Sequence, residues 1–350
     1  MSSELDVAKD VCFIGLGASA PCYYRVMLPA MALKCDWAGV AGVPPSLHWL
    51  TGSVKGQSKM PDLIDDYKIV VLQQPCGDQW LKLTEAMQEA GKKVLFEVDD
   101  YLHGIAKRED HHFKDSYDDR VLLFYEDMMR ACDGIIASTE YIARKYKKFN
   151  PNVYVCRNGI DLNRYNLSRP ERKTVNIGWA GATGHTKAIM PWMNQVLAVM
   201  QEKPETCFVS IGQPFADAIR PYLDDERAIS VPWAAIEQYP SAMSMIDIAL
   251  APAGAGGWYL GKSDLRWLEA GALGIPIIAN RKVYKEIEDG VTGFTAENPY
   301  IMTEKLMPLI GDRDLRLRIG DQAKEYVREH RGIETMSEQW TDAFRRVHDG

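Results

Sequence analysis

Short apolar runs separated by helix-like stretches recur through nearly the whole chain, and this alternation constrains the fold more than any other feature. A run too short for a buried helix and bounded by Gly, Pro or charge reads as a strand buried on both faces. Strands that alternate with helices are joined by crossovers into a parallel sheet. In the first half the runs are residues 11–15, 38–43, 69–73, 93–98, 134–138 and 153–156, with a helix expected over 78–89 and stopped at Gly91. A second series covers residues 175–179, 207–211, 229–231, 248–251 and 275–279. Between the two series lies NGIDLNRYNLSRPERKT, residues 158–174, polar and without sustained period, which reads as an interdomain connection. A chain of 350 residues suits two domains of ~150–170 residues each. The expected division is 1–165 and 175–333, and the tail has Met336, Trp340, Phe344 and Val347 at helical spacing.

Composition sets few limits. Hydrophobic residues make up 46% and charged residues 25%, ordinary for a globular protein. No apolar run reaches the ~18 residues of a membrane span. The first residues, MSSELDVAKD, are acidic where a secretory leader would be basic and apolar, so they read as a solvated lead-in to the first strand. Seven scattered cysteines with no C-x-x-C pair argue against a zinc ribbon and suit a reducing cytoplasm. A net charge of −7 gives no support to general nucleic-acid binding, although Arg144, Lys145, Lys147 and Lys148 form a local basic cluster.

The strongest local signal is GKSDLRWLEAGALGIPIIAN, residues 261–280. Within it a helix is expected over 262–274: Ser263 suits an N-cap, Asp264 the first turn, and Gly274 followed by Pro276 a stop. Residues 253–261 carry four glycines after an expected strand. A Gly-rich loop opening a helix presents backbone N–H groups to an anion. Lys262 adds positive charge, which suits a diphosphate, and Lys262, Ser263, Asp264 and Leu265 are expected among the donor-binding residues. Glu269 follows Lys262 by seven residues, which returns it near the same helical face. Leu265, Leu268 and Ala272 flank that stripe and turn Glu269 inward, where a ribose diol would supply the donors a buried carboxylate needs. An intrahelical pair with Arg266 fits the same spacing, and both readings stay open.

This stretch resembles the donor-binding signature of GT-B glycosyltransferases, specifically family 4 and its relatives, the group 1 glycosyltransferases. There a Glu, seven residues and a second Glu precede Ala-x-Gly-x-Pro and an apolar strand. Glu269, Gly271, Gly274, Pro276 and residues 277–279 match the later part, while Gly261 stands where the first Glu falls. Lys262-Ser263 fits a Lys-Ser pair found in a subset of these relatives. The resemblance covers residues 11–347 and implies an α/β, GT-B fold: two Rossmann-like domains with parallel sheets facing a central cleft. The C-terminal helix, about 334–350, would pack back on the acceptor-side N-terminal domain.

The resemblance also implies roles elsewhere. Gly181, His185 and Lys187 would contact the donor phosphates, and Trp233 would cover the nucleobase. Arg25, in a Tyr-Tyr-Arg…Pro feature with Tyr24, would meet donor phosphate or acceptor. Gly15 and Gly17 would shape a loop lining the cleft. They match a dinucleotide fingerprint formally, but the acidic residue expected at the end of the second strand is missing. The run KKVLFEVDD ends in Asp99 and Asp100, and polar residues at the carboxyl end of a parallel strand face the ligand crevice. These carboxylates would orient an acceptor hydroxyl or stabilise charge developing on the sugar, with His103 close by. His111-His112 beside carboxylates is read as a solvated loop rather than a metal site.

The expected activity is therefore transfer of a sugar from a nucleotide-diphosphate sugar to an acceptor hydroxyl, with retention and without a metal or a further cofactor. The acceptor is a glycan, a lipid, a small molecule or a hydroxymethylated base in DNA. A GT-B sugar-nucleotide epimerase and a catalytically silent nucleotide-sugar-binding protein are the alternatives.

Overall fold

The computed structural model describes residues 4–17, 19–40, 66–108, 114–223 and 225–350. The end of the expected strand 38–43 and the His111-His112 pair lie outside them. Among the described residues, two six-stranded sheets form, and every strand pair in them is parallel.

The first sheet contains β1 (Val11–Leu16), β2 (Asp36–Val40), β3 (Ile69–Gln73), β4 (Lys93–Val98), β5 (Gly134–Ala137) and β6 (Val153–Val155), in the order β2-β1-β3-β4-β5-β6. The second contains β7 (Val175–Gly181), β8 (Thr206–Gly212), β9 (Ala228–Val231), β10 (Ile248–Ala251), β11 (Ile277–Ala279) and β12 (Phe294–Thr295), in the order β12-β11-β10-β7-β8-β9. Each of the eleven expected runs contributes a strand; β12, two residues at a sheet edge, has no apolar run to announce it. The reason is the one the runs imply: β3, β5, β10 and β11 are buried along their whole length because helices cover both faces.

Each sheet buries two apolar layers. Phe96, Met128 and Tyr146 belong to one layer on the first sheet, and Phe13, Val71 and Ile136 to the other. On the second sheet the layers centre on Trp179, Phe208 and Met200, and on Val209, Trp267 and Leu268. The final helix, Ile333–Asp349, completes a layer of the first sheet, with Trp340 and Phe344 at ring-centroid distances of 5.4 and 5.8 Å from Phe13.

Strand order locates the crevices. The second sheet follows the Rossmann order, so its direction of winding reverses between β7 and β10; the first sheet reverses between β1 and β3. Ligands in such sheets bind beyond the carboxyl ends of the strands at these switch points. The chain crosses between the halves near residue 160 and again near 332, where Ile160 and Gly332 form a parallel bridge. Arg331, 2% exposed, ties this crossing by pairing with Asp264 at 2.6 Å and Glu286 at 2.7 Å. It also donates to the Asn158 carbonyl at 3.1 Å. No helix among the described residues is long and apolar enough to cross a membrane.

Candidate active site

A cavity of about 470 Å³ opens where the carboxyl ends of the two sheets meet. The first half contributes Tyr24, Arg25, Asp99 and Asp100, and the second contributes Gly181, His185, Trp233, Lys262, Ser263, Leu265, Arg266 and Glu269. A pocket of this size accepts a small-molecule ligand.

Glu269 sits at its centre of polarity. It lies on the helix Leu265–Ala272 and is 5% exposed. Its Oε1 accepts from the Tyr24 hydroxyl at 2.8 Å and its Oε2 from the Tyr239 hydroxyl at 3.1 Å. Tyr165 extends the chain, its hydroxyl 3.0 Å from that of Tyr24. Burial raises the Glu269 carboxyl to about 7 against the phenols and the Arg266 charge, which favour ionisation. The phenols are pushed well above their usual range, by burial first and by Glu269 next, so they stay protonated donors. Tyr24 reaches this position from a π-helical turn, Tyr23–Met27, in which the Leu28 N–H bonds the Tyr23 carbonyl. Pro29 lacks an N–H and interrupts the regular ladder at that point.

Arg266 does not form the intrahelical pair that its spacing allowed. It makes no ion pair with Glu269 or with any other carboxylate among the described residues; its guanidinium lies 5.2 Å over the Trp179 ring and lines the cavity. Gly181 makes this placement possible, because a Cβ there would collide with the Arg266 guanidinium. Sequence reasoning assigned Gly181 to the site but not the arginine that fills the space beside it. Tyr239 and Tyr284 also line the cavity and were not singled out, since a lone Tyr carries no pattern; Asn158, at the start of the interdomain connection, lines it too.

Lys262 and Asp100, expected to act separately, form an ion pair across the two halves, with Nζ 2.7 and 2.9 Å from the two carboxylate oxygens. The same ammonium lies 4.2 Å above Trp258. Asp99 accepts from Gln74 at 2.5 Å, and burial, then the adjacent Asp100 charge, raise its carboxyl to about 6.

The glycine-rich segment differs from the expected phosphate loop. Residues 257–261 form a short helix, and Trp258 and Tyr259 are buried in a core layer of the first sheet. A Cβ at Gly261 would lie 2.9 Å from Tyr101 Cβ, and one at Gly257 2.7 Å from the Tyr141 hydroxyl. A Cβ at Gly104 would lie 2.8 Å from the Trp258 backbone nitrogen. These glycines allow the two halves to touch, and a side chain at Gly261 would press on Tyr101. The main helix accordingly starts at Leu265, not 262. Lys262 stands in extended backbone before it, so the seven-residue helical argument does not apply to Lys262.

Several expected contacts are engaged elsewhere. Ser263 does not cap the helix; its hydroxyl accepts from Asn158 at 3.0 Å. Asp264 is held by Arg331. Arg25, 1% exposed, pairs with the fully buried Glu97 at 2.7 Å and donates to the Cys156 carbonyl and to Asn158, at 2.6 and 2.9 Å. Its Nη2 nevertheless has no hydrogen-bond partner among the described residues. His103 turns away to hydrogen-bond Glu126 at 3.0 Å and to stack beside Phe149. Lys187 is exposed on the next helix and does not line the cavity. His185 lines it, 5.0 Å from the Trp258 ring. Trp233 stands at the rim, 66% exposed. Gly15 lets Cys22 pack against β1, and Gly17 turns the chain at φ +67°, so both shape the loop that delivers Tyr24 without lining the cavity.

No protein-family model matches the chain, and no curated protein matches it. Solved structures do. HepE of Anabaena, solved in complex with UDP-glucose, superposes at a TM-score of 0.65 with 14% identity, over 97% of this chain and 100% of that one. A glycosyltransferase from Rickettsia africae superposes at 0.62 with 13% identity, over 97% and 98% of the two chains. TarM of S. aureus superposes at 0.62 with 16% identity over 79% of this chain, which spans about half, 54%, of the length of TarM. At such identities the likeness speaks to architecture. With two parallel sheets meeting at their carboxyl ends over one cleft, the chain has the GT-B fold.

Proposed function

We propose that this protein is a glycosyltransferase that takes a sugar from a nucleotide-diphosphate sugar and passes it to an acceptor hydroxyl. The observation that carries the reading is that a buried carboxylate without an ion-pair partner, Glu269, shares one interdomain cavity with Arg266, a cation likewise without one among the described residues. A nucleotide diphosphate complements both, because its ribose diol donates two hydrogen bonds and its phosphates accept them. Superposition on HepE, a protein solved with UDP and UDP-glucose, makes a uridine nucleotide the first donor to test.

In this reading Glu269 holds the ribose, and Arg266, Lys262 and Ser263 neutralise the leaving diphosphate. Trp233 covers the base. Lys262 relaxes its hold on Asp100 as the diphosphate arrives, which frees Asp100 to join Asp99 in orienting the acceptor. The bond from the anomeric carbon to the diphosphate oxygen breaks, a bond to the acceptor oxygen forms, and the hydroxyl proton passes to the departing diphosphate. Attack on the face the leaving group vacates gives retention.

The test is a thermal-shift series with UDP, GDP, ADP and TDP, followed by transfer and hydrolysis assays with the matching sugars. Wild type is stabilised by one of the diphosphates, and Glu269→Ala and Arg266→Ala lose most of that shift. The reading fails if no diphosphate stabilises the protein, or if both variants respond like wild type. Asp100→Asn should abolish transfer while leaving nucleotide binding, which separates an enzyme from a silent binder.

A further inference from the structure

A second cavity lies at the opposite end of the second sheet, lined by Arg169, Arg172, Arg313, Arg316, Asp247 and Glu171 among others. It is built from the connection that precedes β7, the residue that precedes β10 and the first turn of the helix Arg313–His330. Its volume, about 470 Å³, equals that of the interdomain cavity. The mechanism above uses none of these residues.

Four guanidinium groups face two carboxylates there, an excess of two positive charges. Asp247 is already committed: its Oδ1 accepts from Arg169 at 2.7 Å and from Arg172 at 3.5 Å, and its Oδ2 accepts from the Asn176 N–H at 2.9 Å. Glu171 is 92% exposed and meets the exposed Arg313 at 3.3 Å, so it contributes little inside. Donors remain. The Nε of Arg169 is buried without a partner among the described residues. Arg316 spends Nη1 on the carbonyls of Leu309 and Ile310, at 2.6 and 2.9 Å, and its other nitrogens have no partner there. The like charges press on one another: Arg169 is lowered by burial first and also by Arg172 and Arg316, and Arg316 by burial and Arg313.

We propose that this cavity is a binding site for a small phosphorylated molecule, distinct from the nucleotide site. A phosphate monoester brings close to two negative charges and three acceptor oxygens, which match the charge excess and the idle donors. Planar guanidinium groups are suited to gripping it in bidentate fashion. Arg169 and Arg172 belong to the interdomain connection, while Arg316 belongs to the second domain. The occupant thus binds that connection to the domain it enters.

The experiment is a calorimetric and thermal-shift titration of the full chain with inorganic phosphate, against sodium chloride at matched ionic strength. A parallel arm uses a hexose phosphate. Wild type binds phosphate saturably, and Arg316→Gln weakens it about tenfold, the loss of one good charged contact. Arg266→Gln, in the other cavity, leaves phosphate affinity unchanged. Tighter binding of the hexose phosphate assigns the occupant to an ester, and equal binding assigns it to the free ion within the same site. Equal affinity in Arg316→Gln, loss in Arg266→Gln, or a chloride response as large as the phosphate response overturns the proposal. Among the described residues the Arg316 side chain hydrogen-bonds only the carbonyls of Leu309 and Ile310, and a circular-dichroism spectrum of the variant checks that the fold is kept. The proposal does not rest on the donor-site reading; loss in Arg266→Gln would place the phosphate in the interdomain cavity instead.

Discussion

Two buried glutamates, one in each half, show how similar titration behaviour serves different ends. Burial raises both Glu97 and Glu269 to about 7. Glu97, fully buried, faces Arg25 at 2.7 Å, so a guanidinium of the chain itself meets its charge, although Arg25 Nη2 has no hydrogen-bond partner among the described residues. Glu269 faces two phenols and a cavity, and the nearest help to its charge, Arg266, does not touch it. The first carboxylate meets its counter-charge directly within the chain, whereas the second meets only phenols and leaves hydrogen-bonding capacity that a diol can take. A raised carboxyl is therefore no marker of function until its surroundings are counted.

The comparison breaks most visibly if stability and binding fail to separate. Glu97→Gln strands the buried Arg25 charge and should cost on the order of 3–5 kcal/mol of unfolding free energy, read from urea denaturation. Glu269→Gln should cost less than about 1 kcal/mol, because it removes a desolvated charge, keeps one acceptor oxygen for a phenol and offers an N–H that the other phenol oxygen can accept. Comparable losses for the two variants would erase the distinction.

A pH series sharpens it. Both carboxyls have folded values above their unfolded ones, so the folded state holds protons more tightly and stability falls as pH rises from about 4.5 through about 7. Each contributes on the order of 3 kcal/mol at most across that window. Glu269→Gln should remove its share of the slope in urea midpoints between pH 5 and 8 and leave that of Glu97. In the same range, diphosphate affinity should rise with pH in wild type and flatten in Glu269→Gln, if the ionised carboxylate is what the ribose meets.

Smaller effects test the lining. Gly261→Glu should destabilise by about 1–3 kcal/mol through overpacking against Tyr101 and leave nucleotide affinity no better. Tyr24→Phe removes a phenol that competes with the ribose for Oε1. It should tighten diphosphate binding about threefold at a cost of about 1 kcal/mol in stability; weaker binding would mean that Tyr24 stays on Glu269 when the ligand is bound.

Much of the scaffold was legible in the sequence. Runs such as residues 69–73 and 93–98 are strands end to end, because a segment buried on both faces is largely apolar and stops near the first turn residue; Glu97, the charged exception in the second, is met by Arg25. The helix Asp78–Glu89 is likewise found where its pattern and Gly91 place it. Glu269 was legible as an inward carboxylate because helical periodicity is local. The start of its helix was misplaced, since Ser263 looks like a cap yet bonds Asn158, 105 residues away in sequence.

The sequence by itself determined two parallel-sheet halves, the connection between them and the helix that carries Glu269. These follow from hydrophobic period and from backbone limits acting over a few residues. Only the tertiary structure decided which polar groups meet. It paired Lys262 with Asp100 across the cleft, locked Arg25 onto Glu97, committed Asp264 to Arg331 and left Arg266 unpaired beside Gly181. The physical reason is that a charge's role depends on what neutralises it, and in a parallel sheet those partners arrive from strands and loops far apart in the chain.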